Sequence, residues 1–133
     1  MLLSLKKYAQ HILTGACVAV AISGIAMAHE WMAPKDAAAV KNPVNLTKES
    51  SANGKAVFLD NCSACHGENA EGLNAQEAGQ RSNTPNLKKR LATHSDGDFF
   101  WKIKKGRGDM PAFEDNLEEQ EIWDVINYLK SEN

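Results

Sequence analysis

Cys62-Ser63-Ala64-Cys65-His66 gathers two thiols and an imidazole within five residues. A disulfide between Cys62 and Cys65 would close a loop too small to stabilise much, because that stabilisation grows with loop length. The pair therefore points to chemistry. C-x-x-C-H is the spacing of covalent haem attachment. The two thiols add across two vinyl groups as thioethers, and the two intervening residues let one turn of backbone reach both. His66 is then left facing the iron, with a ring nitrogen as proximal ligand, and Gly67 lets the backbone pass close to the porphyrin. Two other chemistries compete for these residues. A thioredoxin-like pair needs a βαβ setting, and no strand signal is present. A zinc site could draw on Cys62, Cys65, His66 and His94, but no second C-x-x-C or H-x-x-x-H supplies the usual paired ligands.

The far side of an iron would need a second donor, and Met32, Met110, His29 and His94 are the candidates. Met110 is favoured. It stands in a loop between two helical patterns, flanked by Gly106, Gly108 and Pro111, and such a loop can present a thioether to the metal. Methionine is otherwise a common core filler. His94 reads as a polar loop residue before a helix cap. His29 could bind copper if processing made it the N-terminal residue, but nothing else supports that.

The chain has 133 residues, enough for one domain. Lys6 and Lys7 precede a mostly apolar stretch, Tyr8 to Ala28, without Asp, Glu, Lys or Arg, closing on Ala26-Met27-Ala28. That order predicts a secretory signal peptide over residues 1–28 and a periplasmic or otherwise exported protein. The stretch could instead stay as a membrane anchor, since ~20 apolar residues span a bilayer, although Gln10, His11, Thr14 and Ser23 weaken that reading. Cys17 as an acylation site is disfavoured by Thr14 three residues before it. Loss of residues 1–28 removes two lysines and no acidic residue, so the remainder is more acidic than the formal −2 of the whole chain. That balance carries no footprint of a nucleic-acid partner. A domain this small has a thin apolar core, which a large flat cofactor would help to fill.

The rest of the chain reads as all-α. Residues 29–46 form an N-terminal extension, in which Pro34 opens a short helix through Val40, Asn42-Pro43 stops it, and Trp31 packs on the domain surface. Residues 47–133 form the domain. Thr47 caps a helix over Lys48–Asn61. Gly54 in its middle costs about 1 kcal/mol against Ala, a cost that a close helix approach would explain. Residues 67–94 hold little regular structure, and a loop that long suits the wrapping of a cofactor. Ser95 caps a helix over Asp96–Lys105. The last helix runs over Glu118–Lys130, with Ile122, Val125, Ile126 and Leu129 as its buried stripe. Four helices or fewer are expected.

In their order along residues 48–131, these motifs resemble class I c-type cytochromes of the short bacterial monohaem kind. The likeness runs from Gly54 and Phe58 through Cys62-x-x-Cys65-His66-Gly67 and Thr84-Pro85-Asn86-Leu87. It continues in Phe100-Trp101-Lys102-Ile103-Lys104-Lys105-Gly106, Met110-Pro111-Ala112-Phe113 and Ile122-Trp123-Asp124-Val125-Ile126-Asn127-Tyr128-Leu129. The resemblance implies a cytochrome c fold in which the first and last domain helices cross around one haem, with Gly54 and Phe58 meeting Tyr128. It also implies that the Pro85 carbonyl accepts from the second ring nitrogen of His66, fixing the ring and strengthening it as a donor.

The expected function is single-electron transfer between redox proteins through one covalent haem c, with His66 and Met110 on the iron and no catalysis. Two alternatives remain: an electron-transfer subunit of a membrane oxidoreductase, or an open-site haem peroxidase or sensor. Two basic runs, Lys88-Lys89-Arg90 and Lys102, Lys104, Lys105, Arg107, either rim the haem edge and meet an acidic partner or are solvated helix faces.

Overall fold

A computed structural model describes residues 31–132. The expected signal peptide, Cys17 and His29 lie outside the described residues. Among the described residues six helices follow one another: α1 (Lys35–Ala38), α2 (Lys48–Asn61), α3 (Ser63–His66), α4 (Leu87–Leu91), α5 (Asp96–Lys105) and α6 (Glu119–Ser131). There is no strand among the described residues; the only sheet-like pairing is an isolated bridge between Arg107 and Met110. The fold is all-α, as expected, with more helices than the sequence suggests because three of them are one or two turns long.

α2 and α5 have the expected bounds, and both begin on side-chain caps. Thr47 Oγ1 accepts from Ser50 N–H at 3.1 Å, and Ser95 Oγ from Asp98 N–H at 3.2 Å. α6 starts one residue later than expected because Glu118 is its cap, exchanging reciprocal bonds with Glu121. α1 ends at Ala38, short of the expected Val40. α4 interrupts a segment expected to be irregular. Asn86 is its cap and accepts from Lys89 N–H at 2.9 Å.

The core forms where α2 crosses α6. A Cβ on Gly54 would sit 1.9 Å from the Asp124 carbonyl oxygen and 2.7 Å from Val125 N, so only glycine allows this approach. One turn further on, the Phe58 and Tyr128 rings lie 5.4 Å apart. The expected crossing is therefore present, with Gly54 against the backbone of α6 and Phe58 against Tyr128. Asp124 and Asn127 are buried here too. Ser50 donates to Asp124, and Asn127 donates to Ser50 Oγ at 2.8 Å. α6 buries every residue from Ile122 to Leu129, not just an apolar stripe. Its remaining faces are covered by α4, by α5 and by the N-terminal segment. Phe100 of α5 stacks on Trp123 at 4.0 Å, and Asn42 reaches Trp123 O at 3.1 Å and Asn127 Oδ1 at 3.0 Å.

Candidate functional site

The end of α2 and the single turn of α3 carry the thiols. Cys62 closes the first helix, its N–H bonded to Phe58 O at 2.8 Å, and opens the second, its carbonyl accepting from His66 N–H at 2.9 Å. One turn of backbone thus spans Cys62, Cys65 and His66, as the motif requires. Gly67 ends the turn with φ +78°. The two cysteines form no disulfide.

All three side chains face one cavity of about 600 Å³, which is also lined by Pro85 and Met110. Phe58, Phe99, Ile103, Phe113, Val125 and Leu129 supply its apolar walls. The volume falls in the range of small-molecule and cofactor sites. Every residue assigned to the site from sequence is therefore brought to it. His94 lines the cavity as well, but among the described residues no three or more His, Cys, Asp or Glu side chains are grouped to hold a metal ion. The four-ligand zinc set does not form.

Electrostatics suit a neutral imidazole and a protonated Cys62 thiol in the haem-free chain. Burial lowers the pKa of His66, and the Pro85 carbonyl, the weaker influence, raises it. Nδ1 is buried without a well-aligned hydrogen bond, so Pro85 is the neighbouring acceptor whose pull the ring feels. A neutral ring is the form that ligates metal. Burial first, and Cys65 second, pushes the Cys62 thiol up to about 11.

Two loops hold the remaining contributors. Thr84 Oγ1 donates to Cys65 O at 2.5 Å and accepts from Leu73 N–H at 2.8 Å, so the residue before Pro85 is tied to the attachment turn. Nothing in the type or spacing of Thr84 marks it as a positioning residue; only the fold shows it. The Met110 loop is pinned at its base. Arg107 and Met110 exchange backbone bonds at 2.9 and 3.1 Å, and Phe113 N–H bonds to Ile103 O at 3.2 Å. Across the cavity lining, Arg81 grips Asp109 at 2.6 Å and joins this loop to the Pro85 loop. That contact holds the Asp109 carboxyl below the usual range.

Four of the seven residues in the basic runs form ion pairs within the chain. Lys88 pairs with Glu132 at 3.9 Å, Lys102 with Asp98 at 2.6 Å, Lys104 with Glu119 at 2.7 Å and Lys105 with Glu114 at 2.6 Å. Arg90, Lys102 and Arg107 line the cavity.

Two thiols, an imidazole and apolar walls around one cofactor-sized cavity, on crossed helices, define a class I c-type monohaem cytochrome. The chain belongs to the family described as "Cytochrome C oxidase, cbb3-type, subunit III", which it matches over residues 49–129. It is also similar to proteins named cytochrome c6. That of Diacronema lutheri is 32% identical over 82 residues, 60% of this chain and 93% of that one. That of Euglena gracilis is 35% identical over 81 residues, 57% and 85%. That of Synechococcus elongatus is 32% identical over 78 residues, 59% and 85%. The protein binds haem c covalently and transfers electrons; it is a carrier, not an enzyme.

Proposed function

We propose that this chain is an exported carrier whose haem iron is held between His66 and Met110, passing single electrons between redox proteins outside the cytoplasm. Haem supplies the site of reversible one-electron change. The chain's own residues do the rest. Cys62 and Cys65 would hold it, Pro85 would orient the His66 ring, Met110 would offer its thioether to the iron, and the apolar walls would keep water and other ligands away. Methionine ligation and a low-dielectric shell both raise the reduction potential.

The observation that carries this reading is the placement of Met110 on the cavity lined by Cys62, Cys65 and His66, in a loop fixed at both ends. With Met110 on the iron, no open position would remain for the peroxidase or sensor alternative. Met110→Ala should abolish the weak sulfur-to-iron charge-transfer band of the ferric protein and lower its potential. An unchanged band would assign the sixth position to another group.

The family description names an oxidase subunit. Together with the apolar stretch from Tyr8 to Ala28, it supports a second reading, an electron-transfer subunit held at a membrane. No helix among the described residues is long and apolar enough to cross one, so residues 8–28 would have to supply the anchor. N-terminal sequencing of the exported protein separates the two: a start at His29 supports processing after Ala28 and a free carrier, with residues 29–46 as an extension ahead of the domain.

A further inference from the structure

The family match begins at residue 49, yet the segment before it reaches the haem cavity. Trp31 lines that cavity beside Lys102, Arg107 and Met110. Its ring lies 5.6 Å from Lys102 Nζ on α5 and 5.9 Å from the Arg107 guanidinium on the Met110 loop, within reach of cation–π attraction.

The segment is fastened tightly enough to hold the ring there. Ala33 N–H donates to the buried Asp98 carboxylate at 2.7 Å. Lys102 Nζ lies 2.6 Å from the other oxygen of that carboxylate, off the direction of a well-formed hydrogen bond. Backbone, carboxylate, ammonium and indole thus close a circuit. Ser95 Oγ donates to Ala38 O at 2.6 Å, and a Cβ on Gly97 would sit 2.2 Å from Ala37 O. The sequence reading placed Trp31 on the domain surface; the structure makes it part of the cavity wall.

The geometry points to Trp31 as a positioning residue that tunes the haem: an apolar wall that keeps water from the cofactor and fixes the Lys102 and Arg107 charges beside it. This inference rests on haem occupying the cavity and not on Met110 ligation. Water entering the cavity favours the more highly charged oxidised centre, and loosened cations favour it as well. Both effects of removing the indole therefore act in the same direction.

The test is a spectroelectrochemical titration of the full haem-loaded protein with Trp31→Ala, Trp31→Phe and, as a control on the same segment away from the cavity, Val40→Ser. Trp31→Ala should lower the equilibrium constant for reduction about three- to tenfold, which at about 59 mV per tenfold for one electron is about 30–60 mV. Trp31→Phe should recover most of the loss, and Val40→Ser should match the native potential. The visible spectrum of Trp31→Ala should keep the native ligand signature. A native potential in Trp31→Ala, even with a lowered unfolding midpoint, would reduce Trp31 to structural packing and overturn the inference. A changed ligand signature would also overturn it, because the shift would then come through the iron ligands. Absence of a sulfur-to-iron band in the native protein would sink the Met110 reading and leave this comparison intact.

Discussion

Gly54→Ala sets two opposed effects against each other, and the structure decides between them. Helix propensity alone favours Ala over Gly by about 1 kcal/mol. The new Cβ would lie 1.9 Å from the Asp124 carbonyl oxygen and 2.2 Å from its carbon, both backbone atoms of a buried helix. An ordinary contact is about 3.4 Å or more, so α2 and α6 would have to part by about 1.5 Å. Overpacking of this kind costs about 1–3 kcal/mol. The separation also stretches the Ser50–Asp124 and Asn127–Ser50 bonds, at about 1 kcal/mol each. The net expectation is a loss of about 2–4 kcal/mol, or roughly 10–30 °C in Tm for a domain of this size. Guanidinium unfolding of the haem-loaded protein, followed by circular dichroism, measures it. Ala52→Gly, on the exposed face of the same helix, calibrates propensity and should cost about 1 kcal/mol. Equal or raised stability in Gly54→Ala would refute the close-crossing argument.

Other perturbations probe other contacts. Asp98→Ala removes the carboxylate shared by Ala33 and Lys102 and should cost about 3 kcal/mol, as expected when a buried ion pair loses one partner. The cut sites that appear in limited proteolysis should fall between Trp31 and Thr47; cleavage elsewhere would show a different anchor. Burial, and then Lys102, lower the His94 pKa beneath its ordinary 6.5, so the unfolded chain binds the proton more readily. Stability should fall as pH drops below about 6.5, with the loss levelling off beneath the folded value. His94→Gln should flatten that limb of a stability–pH curve, and an unaltered slope would exclude His94 as its source. In the haem-free folded protein the Cys62 thiol, at about 11 against an ordinary 9.0, holds little thiolate. Alkylation at mildly alkaline pH should run about a hundredfold slower than in denaturant, whereas equal rates would contradict its burial.

What could be read from sequence was local. The attachment turn needs only five consecutive residues, and the α2, α5 and α6 patterns announce themselves through caps and spacing. The loop that carries Met110 to the cavity was legible because glycines and a proline shape it. α4 was missed because Asn86 serves equally as a turn residue and as a cap, and only the downstream backbone decides which. The role of Trp31 depends on contacts with α5 and the Met110 loop, far along the chain, which no local pattern encodes. The same holds for Thr84. The pairing of the basic runs was hidden for a related reason. The Asp98–Lys102 spacing was visible, but the partners of Lys104 and Lys88, Glu119 and Glu132, are assigned only by folding. In α6, Asp124 and Asn127 look like solvent positions until Ser50, Asn42 and the segment before α2 close over them.

The union of α2 with α6 also sets a timetable for biosynthesis. In an exported chain Cys62 and Cys65 cross the membrane ahead of Glu119–Ser131, and Phe58 has no Tyr128 to meet until that last stretch arrives. Until then the Cys62 thiol stands in water at its ordinary 9.0; burial in the folded chain pushes it up to about 11. Attack by the Cys62 thiol should therefore be easier in the open chain than after α2 and α6 have closed over it.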